Sequence, residues 1–302
     1  MKNIVILGGT GFVGRHLCAA LVRQGYTVRV LSRNPEKNKD MTVLPTLTIR
    51  KVDVNQQNEL NAVCKNADVV INLIGILNEH GSNNGSGFRK AHVVLAQKVI
   101  QACMHNEVPR LLHMSALNAD STKGSSHYLR TKGEAESYVH KHALSDIHVT
   151  SFRPSVIFGP GDSFLNRFSR LLNIAPGFLL LPVADSLYAP IYVNDVVTAM
   201  INSIKNTKTY GERYDLCGPK VYTLKQLVTY VAQLKHSNCK IIGLSLGLSK
   251  VMATMMEFLP GKPFSRDNYL SSRMPSVCSS SFPEVLNITP VTLESIAPTY
   301  IR

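Results

Sequence analysis

Short apolar segments alternate with amphipathic ones along the first half of the chain. Residues 3–8 are almost wholly apolar, which is typical of a strand buried on both faces of a parallel sheet. Val13, Leu17 and Leu21 then recur at helical spacing, and Gly25 is suited to cap the end of that helix. The chain is therefore predicted to begin with a strand followed by a helix.

The same alternation continues over the next hundred residues. Further strands are predicted at 27–32, 47–52, 69–74, 110–115 and 147–152, with helices at about 88–106 and 128–143. Strands and helices that alternate at this spacing indicate an α/β protein with a Rossmann-type, doubly wound parallel sheet. Right-handed crossovers then fix most of its topology.

The composition of the sequence changes after Arg153, where proline and glycine become frequent. We therefore predict a dinucleotide-binding Rossmann domain at 1–154 and a smaller, partly interleaved C-terminal substrate or partner domain at 155–302. Residues 191–216 are expected to return to the first domain with a helix and a strand. A further helix is predicted at 223–235.

A glycine-rich turn joins the first predicted strand to the first helix. Its sequence, Gly8-Gly9-Thr10-Gly11-Phe12-Val13-Gly14, satisfies both G-x-G-x-x-G and G-x-x-G-x-x-G. Such glycines permit a tight turn, the close approach of backbone N–H groups to a pyrophosphate, and close packing of helix on strand. The helix N-terminus adds a favourable dipole for the diphosphate. All seven residues are assigned to a cofactor site.

The end of the second strand indicates which dinucleotide binds. NAD-binding proteins usually place an Asp or Glu there for the ribose 2′-hydroxyl, whereas this chain has Ser32-Arg33. A guanidinium suits a 2′-phosphate, so NADP(H) is preferred and NAD(H) is the alternative. Asp53-Val54 is expected near the adenine, and Leu73-Ile74-Gly75, at the end of the fourth strand, near the ribose.

A phenol and an ammonium form the candidate catalytic pair. Tyr128 and Lys132 are separated by one helical turn and lie on one helix face. A nearby cation is expected to lower the pKa of the phenol, which would then transfer protons near neutral pH. Ser115, at the end of the preceding strand, is expected to hydrogen-bond a substrate oxygen.

The glycine turn together with Tyr128-x-x-x-Lys132 resembles the short-chain dehydrogenase/reductase superfamily, in its extended or atypical branch with the NAD-dependent epimerases and dehydratases. The resemblance implies that Tyr128 is the general acid/base, that Lys132 also holds the nicotinamide ribose, and that Ser115 positions substrate. Ala116-Leu117-Asn118 departs from the Ser/Thr-rich run usual in that superfamily, which weakens the role of Ser115 most.

A closer resemblance extends over most of the chain up to about residue 230. The segments 128–132, 153–168, 190–196 and 214–219 are similar to the NADPH-binding accessory subunit family of respiratory complex I. Arg153 and Pro154 open the longest of these segments and are also assigned to the cofactor site. This resemblance implies a dinucleotide that is held structurally rather than turned over.

The charge and the cysteines limit the partners and the compartment. The formal net charge is +13, which favours acidic partners or reflects a basic background, but no cluster of basic residues interleaved with aromatics supports nucleic-acid binding. Six scattered cysteines without a Cys-x-x-Cys pair are interpreted as reduced thiols, and no metal site is predicted. The location is expected to be cytoplasmic, at the periphery of an inner membrane if the protein serves a membrane-associated complex.

Two further segments carry expectations of their own. The polar loop at 80–87 follows the fourth strand and is predicted to be a mobile lid over the ligand edge of the sheet. Residues 241–259 are apolar with little charge and predict a helix at about 245–259. That helix is either part of the core of the second domain or a surface for a membrane or a partner.

Three functions remain open from the sequence. The first is an NADP-dependent oxidoreductase or epimerase-type enzyme acting on a hydroxyl or carbonyl group of an unidentified small molecule. The second is a non-catalytic NADPH-binding structural or assembly factor for a membrane-associated complex. The third is a redox sensor that reports the state of NADP(H) to a partner.

Overall fold

The computed structural model describes residues 2–79, 84–143, 146–175, 177–259 and 262–301. Its strands are β1 (Asn3–Leu7), β2 (Thr27–Ser32), β3 (Leu47–Lys51), β4 (Val69–Asn72), β5 (Arg110–Met114), β6 (His148–Pro154), β7 (Ile157–Phe158), β8 (Phe178–Leu181), β9 (Leu187–Tyr188), β10 (Ile191–Tyr192), β11 (Arg213–Leu216), β12 (Tyr222–Thr223) and β13 (Lys240–Gly243). Its helices are α1 (Phe12–Arg23), α2 (Gln57–Cys64), α3 (Ser86–Arg89), α4 (Leu95–His105), α5 (His127–His142), α6 (Leu165–Ile174), α7 (Val193–Ser203), α8 (Leu224–Leu234), α9 (Leu246–Met256), α10 (Arg266–Ser272) and α11 (Leu293–Ile296). A π-helical turn, Lys90–Val94, joins α3 to α4.

Seven parallel strands form the central sheet in the order β3-β2-β1-β4-β5-β6-β11. The order reverses direction between β1 and β4, and ligands of such sheets bind outside the carboxyl ends of the strands at that point. The predicted doubly wound Rossmann-type sheet is confirmed. The sequence pattern missed α2, and β4 ends two residues early because the backbone N–H of Ile74 turns back to the Asn72 side chain at 3.2 Å.

Each face of the sheet carries its own apolar layer. Ile4 and Ile6 face α1 and α7, whereas Val5 and Leu7 face α2, α4 and α5. Successive side chains of a strand point to opposite faces, so β1 must be apolar at every position when both faces are covered. This explains why residues 3–8 are apolar without alternation.

A second lobe is built from the segments after β6. It contains three strand pairs, β7 with β10, β8 with β13 and β9 with β12, and the helices α6 and α8. Its largest apolar cluster joins the following buried residues: Phe158, Leu165, Leu172, Leu227, Val231, Ala232, Leu293, Ala297 and Ile301. The end of the chain therefore completes the core of this lobe.

Two segments beyond residue 190 pack on the central sheet. Helix α7 lies against α1, and β11 extends the sheet beside β6. Phe282, Val285 and Ile288 pack against the same apolar layer, where the Asn202 side chain donates to the carbonyl of Leu286 at 2.8 Å. The tail of the chain thus contacts both lobes.

The expectation that all six cysteines are reduced is wrong for two of them. Cys217 follows β11, Cys278 lies in the tail, and the two form a disulfide across 61 residues of sequence. Cys18, Cys64 and Cys103 are buried free thiols, and Cys239 is partly exposed. Spacing alone gave no indication of this pair, because the fold of the second lobe brings the two residues together.

Within the described ranges, no helix is long and apolar enough to cross a membrane. The helix predicted at 245–259 is present as α9, which begins after Ser245. The hydroxyl of that serine accepts from the backbone N–H of Leu248. The interpretation of this helix as core is wrong, because much of its apolar surface is exposed.

Candidate dinucleotide site

The glycine turn lies at the carboxyl end of β1. Gly8 has a φ of +79°, and its carbonyl accepts from the backbone N–H of Gly11 at 3.0 Å. A Cβ on Gly9 would lie 2.8 Å from Val30 Cγ1, and a Cβ on Gly14 would lie 2.3 Å from the carbonyl oxygen of Gly8. A left-handed turn and two close approaches therefore require glycine at these positions.

Helix α1 starts at Phe12 directly after this turn. Gly11 is its N-cap and supplies no side-chain hydrogen bond to the first turn. The first N–H groups of a helix lack intrahelical partners and bind anions well. Thr10 precedes the N-cap, and Phe12 and Val13 form the first turn of α1, so the backbone N–H groups of this region are suited to a pyrophosphate.

Arg15, which the sequence analysis missed, ties the glycine turn to the segment after β2. Its Nε donates to the Thr10 carbonyl at 3.2 Å, and its guanidinium contacts Asn38 at 2.9 Å and forms an ion pair with Asp40. The sequence signal for Arg15 is its position directly after the third glycine of the G-x-G-x-x-G motif. Arg33 is exposed at the end of β2, and Ser32 Oγ accepts from the backbone N–H of Asn34 at 3.2 Å.

Asp53 and Val54 follow β3 on the same edge. The Asp53 carboxylate accepts from the backbone and side-chain nitrogens of Asn55 at 3.0 and 2.8 Å. These bonds, with smaller contributions from the charges of Lys90 and Arg33, hold the pKa of Asp53 below its usual range. Asp53 is thus ionised and lies within electrostatic reach of Arg33.

The loop after β4 crosses the glycine turn. A Cβ on Gly8 would lie 3.1 Å from the backbone of Leu73 and 3.2 Å from that of Ile74. One residue further, a Cβ on Gly75 would lie 3.0 Å from Lys132 Nζ. The structure therefore brings Leu73, Ile74 and Gly75 between the glycine turn and the predicted catalytic pair.

Lys132 is buried on α5 and donates from Nζ to the carbonyl of Met114 at 2.9 Å. Burial lowers the pKa of Lys132 to about 8, and the charge of Glu136 opposes that shift. Glu136 is itself buried and accepts from the guanidinium of Arg153 at 2.6 to 3.0 Å. Arg153 therefore anchors α5 to the end of β6, and the carbonyl of Pro154 beside it accepts from Leu117 at 3.1 Å.

Tyr128 lies one turn before Lys132, with its ring 5.5 Å from that of His92 and 6.0 Å from that of Phe88. Burial raises the pKa of Tyr128 to about 12, and the charge of Asp267 adds to the shift. The expected lowering of this pKa by Lys132 is therefore wrong. The phenol stays protonated at neutral pH and is a poor base in this arrangement.

Ser115 is buried directly after β5, beside the Met114 carbonyl that holds Lys132. Its backbone N–H donates to the carbonyl of Phe152 at 2.8 Å. Its hydroxyl has no hydrogen-bond partner among the described residues, and neither does Nε2 of His113 nearby. Buried polar atoms are nearly always paired, so both atoms point to a ligand or water at this place.

His92 is a second residue that the sequence analysis missed. It lies in the π-helical turn, a feature often found at functional sites, and its Nε2 accepts from the backbone N–H of Ile76 at 3.2 Å. Its Nδ1 bonds Thr131 Oγ1 at 2.9 Å. Burial and the charge of Lys132 lower the pKa of His92 to about 2, so a neutral imidazole connects the loop after β4 to α5.

Residues 265–276, here called the covering segment, lie across the start of α5. The Asp267 carboxylate accepts from the backbone N–H groups of His127 at 2.7 Å and Tyr128 at 3.2 Å. The Asn268 side chain donates to the Leu77 carbonyl at 3.1 Å, and Ser271 and Ser126 bond at 2.7 Å. The segment therefore spans from the loop after β4 to the start of α5, and its end precedes the disulfide at Cys278.

A cavity of about 240 Å³ lies beneath this segment. It is lined by Glu79, Phe88, His127, Glu257, Lys262, Ser265, Arg266, Asp267 and Leu270. Glu79 accepts from the backbone N–H groups of residues 85, 87 and 88, which fixes the start of α3. The predicted mobile lid at 80–87 stays a prediction, because residues 80–83 lie outside the described residues.

The sheet order, the glycine turn and the Tyr128–Lys132 pair beside the loop after β4 define a dinucleotide-binding protein of the Rossmann class. Residues 4–217 match the model of the NAD dependent epimerase/dehydratase family. The chain belongs to that family, which confirms the resemblance inferred from the glycine turn and Tyr128-x-x-x-Lys132.

Curated relatives are similar over most of the chain. NADH dehydrogenase [ubiquinone] 1 alpha subcomplex subunit 9, mitochondrial, of Arabidopsis thaliana is 32% identical over 86% of this chain, which spans 64% of that relative. The Mus musculus protein of the same name is 29% identical over 96% of this chain and 77% of its own length. The second resemblance, to a complex I accessory subunit, is confirmed.

A solved structure has the same fold over nearly the whole chain. MoeE5 in complex with UDP-glucuronic acid and NAD covers 99% of this chain and 97% of its own, with a TM-score of 0.78 and 19% identity. The prediction of a cytoplasmic location is wrong, because the relatives from plant and mouse are mitochondrial proteins by name. A cytoplasmic location therefore does not account for the positive charge and the apolar segment of the chain.

Proposed function

We propose that this protein binds NADP(H) and retains it as a structural cofactor within a larger protein assembly, without turning it over. The observation that carries the proposal is the covering segment. Asp267 in that segment accepts from the backbone N–H groups of His127 and Tyr128 at the start of α5. We infer that the segment restricts the approach to Tyr128 from that side. The similarity to a subunit of NADH dehydrogenase supports a role within an assembly.

The residues of the site fit a dinucleotide. The glycine turn and the uncapped start of α1 would hold the pyrophosphate through backbone N–H groups. Lys132 would hold the nicotinamide ribose, and the unpaired Ser115 hydroxyl lies on the same side of the site. A bound nicotinamide would carry a transferable hydride at C4, and Lys132 and Ser115 would orient the ring and its ribose.

NADP(H) is favoured over NAD(H) by the charges beside β2. Ser32 and Arg33 end the strand where NAD-binding proteins usually carry an acid, and Arg33 is exposed. A guanidinium binds a phosphate through charge-assisted, often bidentate, hydrogen bonds. Asp53 lies within electrostatic reach of Arg33, whose positive charge makes a small contribution to the lowered pKa of that carboxyl.

The state of Tyr128 supports retention rather than turnover. A phenol with a pKa of about 12 gives up its proton reluctantly, and a general acid/base works best with a pKa near the working pH. The described residues that line the cavity under the covering segment do not include Tyr128. A substrate in that cavity would therefore lie beside His127 rather than against the phenol.

The second candidate is an NADP-dependent oxidoreductase or epimerase. Tyr128 and Lys132 have the spacing that such chemistry needs, and the Ser115 hydroxyl is buried without a partner. In this case the covering segment would move before substrate reaches the phenol. The two candidates differ in whether bound NADPH is consumed.

Native mass spectrometry and nicotinamide fluorescence test the proposal on the full chain. We expect one NADP(H) per chain that survives gel filtration, with bound NADPH not oxidised by a panel of aldehydes, ketones and nucleotide sugars. Tyr128→Phe should retain the dinucleotide equally well. Oxidation of bound NADPH that is lost in Tyr128→Phe would establish the enzyme instead, and a chain that binds no dinucleotide would refute both.

A further inference from the structure

Helix α9 packs inward through small or polar residues. Ser249, Ala253 and Glu257 recur every four residues and are the buried positions of this segment. Ser249 Oγ accepts from the backbone N–H of Val183 at 3.0 Å, and Glu257 forms an ion pair with Arg266 at 2.6 Å. The contacts that hold α9 in the fold therefore use little of its apolar surface.

The large apolar side chains of α9 and its end point outward. Leu248 is 58% exposed, Val251 56%, Met255 68% and Phe258 85%. Leu248, Val251 and Met255 are spaced by three or four residues and so form one stripe along the helix. Phe258 follows in the turn that ends α9, where its backbone N–H donates to the Met255 carbonyl at 3.3 Å. An ordinary surface helix has the opposite arrangement, with its apolar stripe against the core.

The strand pair that precedes α9 adds to the same lobe's exposed apolar surface. Leu180 and Ile242 are register partners in β8 and β13 and are 40% and 46% exposed, with Phe178 two residues away. Ten of the sixteen exposed large apolar side chains of the described residues belong to α9 and its immediate neighbours: Ile174, Phe178, Leu180, Ile242, Leu246, Leu248, Val251, Met255, Phe258 and Leu259. Such concentration marks an interaction surface.

The charges of this region are predominantly positive. Residues 235–275 contain six Lys and Arg against two acids. Both acids are engaged internally: Glu257 with Arg266, and Asp267 with the N–H groups of α5. Lys250 is exposed on α9 next to Val251 in sequence, and Lys240 is exposed on β13 as the register partner of Phe178. Asp185 is an exposed acid of the same lobe. The net charge of the whole chain, +13, has the same sign.

We propose that the outward face of α9 lies on an anionic phospholipid surface, with Leu248, Val251, Met255 and Phe258 inserted at the level of the headgroups. An exposed apolar helix stripe flanked by lysines fits the boundary between headgroups and acyl chains. A second copy of this chain fits less well, because two such surfaces would bring like charges together. The surface lies outside the dinucleotide site, so this inference is independent of the proposed cofactor role.

Vesicle cosedimentation of the full chain without added dinucleotide tests this inference. We expect the protein to pellet with vesicles of equimolar phosphatidylcholine and phosphatidylglycerol, and much less with phosphatidylcholine alone. Added salt should weaken binding, because it screens exposed charges beyond a Debye length of about 8 Å at physiological ionic strength.

Matched substitutions distinguish binding through the stripe from nonspecific adsorption to vesicles. Phe258→Ser should lower the partition ratio at least about tenfold, which corresponds to about 1.4 kcal/mol. Met255→Gln should lower it severalfold, whereas Met104→Gln, the same change on the exposed surface of α4, should leave it unchanged. Lys250→Gln should weaken binding to the anionic vesicles about fivefold, from the roughly 1 kcal/mol that one surface cation contributes, and Lys208→Gln should not.

The outcomes are distinct. Equal binding by Phe258→Ser, Met104→Gln and the unchanged chain would overturn the proposal, and so would failure to pellet with either vesicle. A dimer in light scattering that Phe258→Ser dissociates, without lipid binding, would assign the surface to a second copy and also overturn it. Each variant replaces a solvent-exposed side chain, so the fold should persist. An unchanged thermal unfolding temperature would verify this.

Discussion

Gly75, in the loop after β4, lies directly beside Lys132. A methyl group there would lie 3.0 Å from Lys132 Nζ, 3.4 Å from its Cε and 3.6 Å from His92 Nε2. Nonbonded carbon prefers separations of about 3.5–4.0 Å, so the ammonium must retreat by several tenths of an ångström. Gly75→Ala therefore displaces Lys132 without removing it.

The magnitude follows from what Lys132 holds. Its ammonium donates to the Met114 carbonyl at 2.9 Å in a buried place, and hydrogen bonds to charged groups contribute about 1.5–3 kcal/mol. The lysine side chain is flexible, so part of that bond survives. We expect a loss of about 1–2 kcal/mol in the free energy of unfolding. NADPH affinity should fall about tenfold, since 1.4 kcal/mol corresponds to one decade in Kd.

Thermal and chemical denaturation measure the first effect, and fluorescence titration with NADPH measures the second. Gly247→Ala is the matched control, because a Cβ there meets nothing within 4 Å and the residue lies inside α9. That change should stabilise the protein by about 0.5–1 kcal/mol, because alanine is the better helix former, and should leave NADPH binding unaltered. If Gly75→Ala bound NADPH as tightly as the unchanged chain, the placement of Lys132 at the cofactor would be refuted.

Four further results are expected. Asp267→Ala should cost about 1 kcal/mol of stability through loss of an acceptor at the start of α5, measured by denaturation; no change would contradict the contact. Arg33→Glu should raise the Kd for NADPH at least about tenfold and favour NADH, through loss of a charge-assisted bond; an unchanged preference in fluorescence titration would exclude this arginine. Cys278→Ser should cost about 2–4 kcal/mol under oxidising conditions, whereas Cys239→Ser should cost little. Between pH 8 and 10, Lys132 binds more protons in the unfolded chain than in the folded protein, because its pKa is lowered in the fold. The free energy of unfolding should therefore rise over this range by up to about 2.7 kcal/mol more than that of Lys132→Met. Parallel profiles of the free energy of unfolding against pH would contradict the lowered pKa.

The parts of the fold that are local in sequence could be predicted. The apolar run at 3–8, the seven residues from Gly8 to Gly14 and the helix that follows form one continuous segment whose geometry depends on nearest neighbours. Gly9 lies against Val30, and Gly14 lies against Gly8, at distances that only glycine allows. The glycines in the sequence therefore indicate close packing at both positions. The spacing of Tyr128 and Lys132 on a helix is local in the same sense.

The parts of the fold and of the site that depend on contacts between distant residues could not be predicted from the sequence. His92 looked like any residue of an amphipathic helix, and only the fold brings its ring against Thr131 and the backbone of Ile76. The Cys217–Cys278 disulfide depends on a tail that crosses both lobes. The pKa of Tyr128 was predicted from the neighbouring lysine, but burial and the distant Asp267 decide it. Electrostatic effects inside a protein depend on burial, which sequence spacing does not encode.

The proposed binding of a dinucleotide without turnover rests on which groups the polar contacts of the chain engage. The groups suited to the dinucleotide are backbone N–H groups, Lys132 and Ser115. Among the described residues, the Lys132 ammonium bonds the Met114 carbonyl and the Ser115 hydroxyl has no hydrogen-bond partner, so neither side chain bonds the covering segment. The covering segment instead bonds the backbone N–H groups of His127 and Tyr128, at the start of the helix that carries the phenol. A family scaffold can therefore lose access to its substrate while every group for the cofactor remains in place. In that arrangement the bound dinucleotide would act through the free energy it adds to the folded state, which grows with its concentration over Kd.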